Sequence, residues 1–355
     1  MLDRLLVSTA LLLSMVFVAY SDVWWGPWYG LHVALIVAIS SRIIIKRDSI
    51  LGLNFLYWLA MALLISNWRP ALDGYQIPDQ LTIKNLTKES LFSALILFLF
   101  FEIFDGYLPL MKKVFQVLWW LEAITICFPL NHGIWHLNGL MGSTSIGTTF
   151  LALTFPLVFP KRWLLAAAFI MGLAVWWHSA TATMAVAVAL TVLLLSRGWR
   201  QTAMLPILSV LIAGPFFKGA IYGHQDRYTG WHMYLNDWWV RANHFLGWGH
   251  GAFKYYGPMA QERSGFGVVP GGMEVWLWPH SDWLQLLLDG GYIGLSLAFA
   301  LFVSVVWRYW RRQDWPHLAC ALTFGFAMVA QYPLNIAVTT MFAGYLIYNS
   351  FERAT

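Results

Sequence analysis

The sequence predicts an all-α integral membrane protein, a polytopic bundle of about twelve transmembrane helices. Three observations carry that prediction. Of 355 residues, 59% are hydrophobic and only 11% charged, with a mean hydropathy of +0.60. Soluble domains carry roughly 25% charged residues, so most of this surface is expected to face lipid. Apolar runs recur along the whole chain, and basic residues gather on alternate connections.

The apolar runs lie at 5–20, 29–45, 49–68, 91–108, 114–130, 146–159, 163–177, 181–196, 202–217, 283–307, 318–332 and 336–350. Several fall short of the ~20 residues a spanning helix needs, which leaves ten or eleven as alternative counts. The first run is followed by AYSDVWWGPW, too bulky for a cleavage site, so it is read as a retained helix and not as a signal peptide. With the N-terminus cytoplasmic, the inner ends hold Arg4, Arg42, Lys46, Arg47, Lys112, Lys113, Lys161, Arg162, Arg197, Arg200, Arg308, Arg311, Arg312 and Arg353. The outer connections at 21–28, 131–145, 178–180 and 333–335 hold no Lys or Arg. Cytoplasmic loops are enriched in these residues, which orients both termini inside. The pI near 9.1 is therefore a topology signal and not a nucleic-acid footprint.

Without an internal repeat or low-complexity tract, the chain is expected to form one integral membrane domain, 1–355. Two outer connections are long: 69–90 and 218–282. Connections beyond ~12–15 residues are usually functional or disordered, and 218–282 is too aromatic for disorder. It is expected to fold on the outer membrane surface and to carry the site. The 22 tryptophans exceed what interfacial anchoring needs, so part of the excess is assigned to a ligand. Cys127 and Cys320, both in apolar stretches, read as packing residues.

Within the long connection, DRYTGWHMYLNDWWVRANHFLG places Trp231, Leu235, Trp238, Ala242 and Phe245 at helical spacing on one face. Arg227 and Arg241 lie on that side, about 21 Å apart at 1.5 Å per residue, too far for one pyrophosphate to bridge. Either they contact different groups, or the chain bends near Thr229 and Gly230, or they snorkel to lipid phosphates. Next, GWGHGAFKYYG has glycines at 247, 249 and 251, which suit a plain turn or close approach to a ligand. Gly249 and Lys254 are its candidate ligand contacts.

The stretch WPHSDWLQLLLDGGYIGL puts His280 and Asp282 at a helix N-terminus, where backbone N–H groups favour anions. Asp282 is expected to cap that helix. His280 is either a general base or a solvated interfacial histidine. Asp289, Gly290 and Gly291 interrupt the apolar run. An ionisable residue at that depth marks a site or a partnered contact, or it closes a short re-entrant segment whose true span starts near Tyr292. Glu102 and Glu122 suit a proton path or interhelical hydrogen bonds, and His132, His136 and Asn138 a cavity wall or ordinary loop polarity. No two-histidine helix motif, cysteine cluster or GxxxxGK[ST] loop is present. Neither a metal nor a cofactor is expected, and nucleotide hydrolysis is disfavoured.

The order DRYTGW, HFLGWGHGAFKYY, PHSDWLQLLLDGGYIGL resembles the signature region of the bacterial O-antigen ligase and O-antigen polymerase superfamily over about 226–295. The matching residues are Arg227 with Trp231, Gly247 and Gly249 with Phe253, His280 with Asp282, and Gly291 with Gly294. Ser281 stands where that family often has Asn, and the chain is shorter than usual. The resemblance implies a GT-C-like, metal-independent glycosyltransferase in the bacterial inner membrane. Its donor would be a glycan on polyprenyl (undecaprenyl) diphosphate, its acceptor a hydroxyl of another glycan, of lipid A core or of a protein. Arg227 would then hold the diphosphate and His280 take the acceptor proton, with Asp282 orienting the imidazole or capping the helix. Trp231 and Trp238 would face sugar rings, and Arg241, Gly249 and Lys254 add substrate contacts. The competing reading is a transporter or flippase for the same lipids, which calls for two related halves and charges through a central cavity.

Overall fold

A computed structural model describes residues 108–128, 130–132, 135–137, 144–213, 218–249, 253–265, 268–269, 272–273, 279–331, 333–335 and 337–352. Among these the fold is predominantly α-helical. The helices are α1 (Leu108–Cys127), α2 (Thr144–Val158), α3 (Trp163–Trp176), α4 (Ala180–Ser196), α5 (Leu205–Ala213), α6 (Lys218–Arg241), α7 (Phe253–Ser264), α8 (Asp282–Arg311), α9 (Trp315–Ala330) and α10 (Ala337–Glu352). Two antiparallel ribbons interrupt them, Leu130–His132 with Trp135–Leu137, and Val268–Val269 with Gly272–Met273. His132 and His136 fall in the first ribbon.

Local chemistry explains the helix starts. Ser179 caps α4 by accepting the Ala182 N–H, and Pro316 opens α9, where its missing N–H costs nothing. Small residues set the packing. Ala182, Ala185 and Ala189 of α4 and Ala319, Cys320 and Ala327 of α9 are fully buried, letting the backbones approach closely. Thr154, Thr191 and Thr323 satisfy their hydroxyls on carbonyls one turn back inside their own helices. Glu122 is fully buried on α1 beside Gly147 of α2, where any side chain at 147 would collide with the carboxylate.

Among the described residues one helix, α8, is long and apolar enough to cross a membrane. The helices α2, α3, α4 and α9 are apolar but span only 14 to 17 residues. The run expected at 202–217 forms the nine-residue α5. Twelve complete spans are therefore not what the described residues display. The first four expected runs, apart from Leu108, and the connection at 69–90 lie outside them.

The connection at 218–282 is more ordered than a loop. It begins with the 24-residue α6 and adds α7, and these pack a small second core of Met233, Tyr234, Trp238, Trp248, Phe253, Tyr256, Ala260 and Leu288. The buried face of α6 runs through Gly230, Met233, Tyr234 and Trp238. It is not the stripe ending in Ala242 and Phe245, because the helix stops at Arg241 and Phe245 projects outward.

Helix α8 is broken at Gly291, whose φ of 61° and ψ of −162° are non-helical. The break frees two carbonyls above it and two N–H groups below it, all of which need partners. Residues 244–249 supply every one. Trp248 and Gly249 donate to Leu288 and Asp289 carbonyls at 2.8 and 2.7 Å, and Tyr292 and Ile293 donate to His244 and Phe245 carbonyls at 2.8 and 3.1 Å.

Candidate functional site

The ends of several helices are tied into one polar layer. Ser145, in the first turn of α2, lies 3.3 Å from Ser179, the cap of α4. Gln331, just past α9, donates its side-chain amide to Ser145 at 3.4 Å, and its carbonyl accepts the Asp282 N–H at 3.1 Å. Three helix N-termini, those of α2, α4 and α8, thus meet at this layer, and each carries partial positive charge.

The start of α8 is held from both sides. Ser281, not Asp282, is its cap: the hydroxyl accepts the Leu284 N–H at 3.2 Å and donates to the Met328 carbonyl at 3.2 Å. The expectation for Asp282 missed by one residue because Ser and Asp are comparable caps. Asp282 is almost fully buried and accepts the Leu334 N–H at 2.7 Å, pinning the turn at 333–335 to this helix start. On the other side, the Trp231 indole donates to the Pro279 carbonyl at 2.6 Å.

Between these anchors stands His280, with φ 53°, a left-handed conformation that costs a non-glycine residue about 1–2 kcal/mol. Such strain persists only where the surroundings over-determine it, and here Trp231, Ser281 and Asp282 do so. Burial holds the imidazole pKa down to about 4, helped by the positive charge of Arg227. The histidine is therefore neutral at pH 7 and within electrostatic reach of that guanidinium. Arg227 itself donates to the Ala330 carbonyl at 2.9 Å, at the negative end of α9.

The other residues singled out from the sequence lie elsewhere. Helix α6 runs unbroken through Thr229 and Gly230, so Arg241 sits at its far end, about 21 Å from Arg227. Arg241 lies 3.3 Å from Asp237, which also holds Arg263 at 2.7 Å from α7. Trp238 is 1% exposed and packed against Trp239, His244 and Tyr292, so its faces serve the second core and not an open surface. Gly249 is part of the clasp, the 244–249 segment that bonds across the break in α8. Lys254 lies in α7, and its side chain is outside the described residues.

Sequence reasoning passed over Ser145, Ser179 and Gln331, whose roles depend on contacts between distant segments. Asp289 proves to be a partnered contact. It is buried, its Oδ1 accepts the Phe253 N–H at 2.9 Å at the start of α7, and its Oδ2 lies 3.4 Å from Gln285 Nε2. Among the described residues no cluster of three or more His, Cys, Asp or Glu could hold a metal. A groove of about 400 Å³ lies against α8, lined by Trp283, Leu295, Ser296 and Phe299.

What the arrangement offers chemically is one fixed cation, one neutral imidazole and several helix N-termini at one end of an apolar bundle. No protein-family model matches the chain, and no curated protein or solved structure is significantly similar to it.

Proposed function

We propose that the protein is an inner-membrane glycosyltransferase that moves a glycan from a polyprenyl diphosphate to an acceptor hydroxyl without a metal ion. The observation that carries this reading is that Arg227, tied to the Ala330 carbonyl, and the turn holding half-buried His280, tied through Pro279 to Trp231 on the same helix, are brought together. The resemblance of residues 226–295 to the O-antigen ligase and polymerase superfamily gives it chemical direction.

In this reading the donor diphosphate is stabilised by Arg227 and by the convergent helix N-termini, in place of a metal ion. His280 accepts the proton of the attacking hydroxyl as the anomeric carbon–oxygen bond to phosphate breaks and the new glycosidic bond forms. A histidine with a pKa near 4 is a weak base at pH 7. Bound diphosphate works against this: its negative charge offsets Arg227, the smaller of the two causes, and itself favours the imidazolium, raising the proton affinity of the imidazole when donor is bound. The isoprenoid tail lies in the groove beside Trp283 and Phe299.

A transporter is the second reading, and the clustering of charged candidates at one end favours the enzyme over it. The deciding experiment gives purified protein a lipid-diphosphate glycan together with glycan, lipid A core and peptide acceptors, in the presence of a chelator. Formation of any transferred product supports the reading and identifies the acceptor. Movement of intact donor between leaflets with no product overturns it.

A further inference from the structure

The exposed rim of the α6–α7 lobe is the part of the structure that the transfer chemistry leaves unused. Trp239, Val240, Phe245, Leu246, Tyr292 and Ile293 are between 41% and 78% exposed. They come from three segments, the end of α6, the clasp and the lower limb of α8. The bonds from Tyr292 and Ile293 to the carbonyls of His244 and Phe245 make them one continuous surface.

Their depth follows from α8. From Tyr292 to Arg311 the helix runs for 20 residues below the break, about 30 Å, the thickness of a bilayer core. Its exposed face carries Ile293, Leu297, Phe299, Leu301 and Val303, ends at Trp307 and Trp310, and is followed by Arg311 and Arg312. Tyr292 therefore stands at the outer lipid boundary, and Phe245 is hydrogen-bonded beside it.

The orientation of α6 follows from its two ties. Arg227 holds one end to Ala330, at the outer end of α9, and the clasp holds the other to the break in α8. The tie points are the end of α9 and the top of the 292–311 limb of α8, so the stretch of α6 between them, residues 227–241, runs along the membrane surface.

We infer that this rim is a membrane-interface anchor: Trp239, Val240, Phe245 and Leu246 insert into the headgroup–acyl boundary of the outer leaflet and hold the lobe flat against the bilayer. The inference rests on the membrane reading of α8 and not on the transfer chemistry. Its occupant is lipid because the patch continues the lipid-facing side of the span. Its mixture of Trp, Tyr and aliphatic residues is the chemistry of interfacial belts. Arg241, half-exposed at the end of α6, is placed to reach lipid phosphate.

The test uses the full chain with Cys127→Ser and Cys320→Ala, reconstituted in nanodiscs of phosphatidylethanolamine and phosphatidylglycerol. An environment-sensitive fluorophore is placed through Phe245→Cys, and in parallel through Val240→Cys so that one poorly folded variant does not decide the matter. Glu262→Cys, on the exposed side of α7, is the reference. The inference predicts bluer emission at 245 and 240, and quenching by a nitroxide on the lipid chain stronger than at 262 by roughly twofold or more. Equal access of aqueous iodide to all three positions overturns it. So does protection of 245 and 240 from both quenchers, which places a protein surface there, such as a second copy. No transfer is measured, so a chain inactive toward every donor leaves this result standing, and the reverse also holds.

Discussion

The backbone of Gly247 lies directly against that of Gly291, so that a side chain on either would strike the main chain of the other. Both have positive φ, 72° and 61°, and both belong to the clasp that supplies the hydrogen bonds lost where α8 breaks. Gly247→Ala and Gly291→Ala each combine backbone strain with a main-chain collision. Each is expected to cost more than about 1–3 kcal/mol, whereas Gly290→Ala, with open space and no positive φ, costs little. Thermal unfolding of the three variants in detergent checks this. Equal melting temperatures would contradict it.

The positive charge of Arg227 lowers the pKa of His280, second to burial. The unfolded chain protonates His280 below about pH 6.5, whereas in the fold the imidazole protonates only near 4. Between these values the unfolded state binds more protons, so stability from the neutral imidazole is complete above 6.5 and is lost as pH falls through 4. Arg227→Gln removes the smaller of the two causes and leaves burial. It should raise the His280 midpoint partway, keeping it below 6.5. Histidine-labelled NMR titration, with His280→Gln to assign the resonance, reads this directly. An unchanged midpoint would separate the two residues.

Asp289 serves as acceptor and as negative charge at the start of α7. Asp289→Asn keeps the acceptor for the Phe253 N–H and loses the charge, an expected cost of about 0.5–1 kcal/mol. Asp289→Ala also strands a buried N–H and should cost about 1–3 kcal/mol more. Equal losses from the two variants, measured by denaturation, would show that the hydrogen bond contributes nothing.

Among the described residues, the Tyr234 hydroxyl and the Trp238 indole N–H are buried without a hydrogen-bond partner. Tyr234→Phe removes a desolvated hydroxyl that makes no bond and keeps the edge-on contact with Phe253. Stability is therefore expected to hold or to rise by about 1 kcal/mol. A fall of that size would reveal a bound water or other partner at the phenol.

How legible this was in the sequence varies by residue for physical reasons. The interruption at Asp289–Gly291 was readable, since a carboxylate and two glycines break an apolar run, and the helix does break at Gly291. Its partner was not readable, because the clasp is made of backbone atoms some forty residues away and leaves no side-chain pattern. A helix containing Trp231 and Trp238 was legible from spacing. Which tryptophan would be buried was not, since Trp serves cores, interfaces and ligands alike. The separation of Arg227 from Arg241 followed from helical rise alone. The proximity of Arg227 to His280 depends on Ala330 and Pro279, which bring α9 and the 279–281 turn against α6.

The most direct measurement is single-turnover glycan transfer in chelator by the wild-type protein and by His280→Ala, with donor binding followed in parallel. The account predicts metal-free transfer by the wild type, and a slowing of about 10²–10⁴-fold in the variant with donor affinity preserved. Transfer by His280→Ala at the wild-type rate would contradict it.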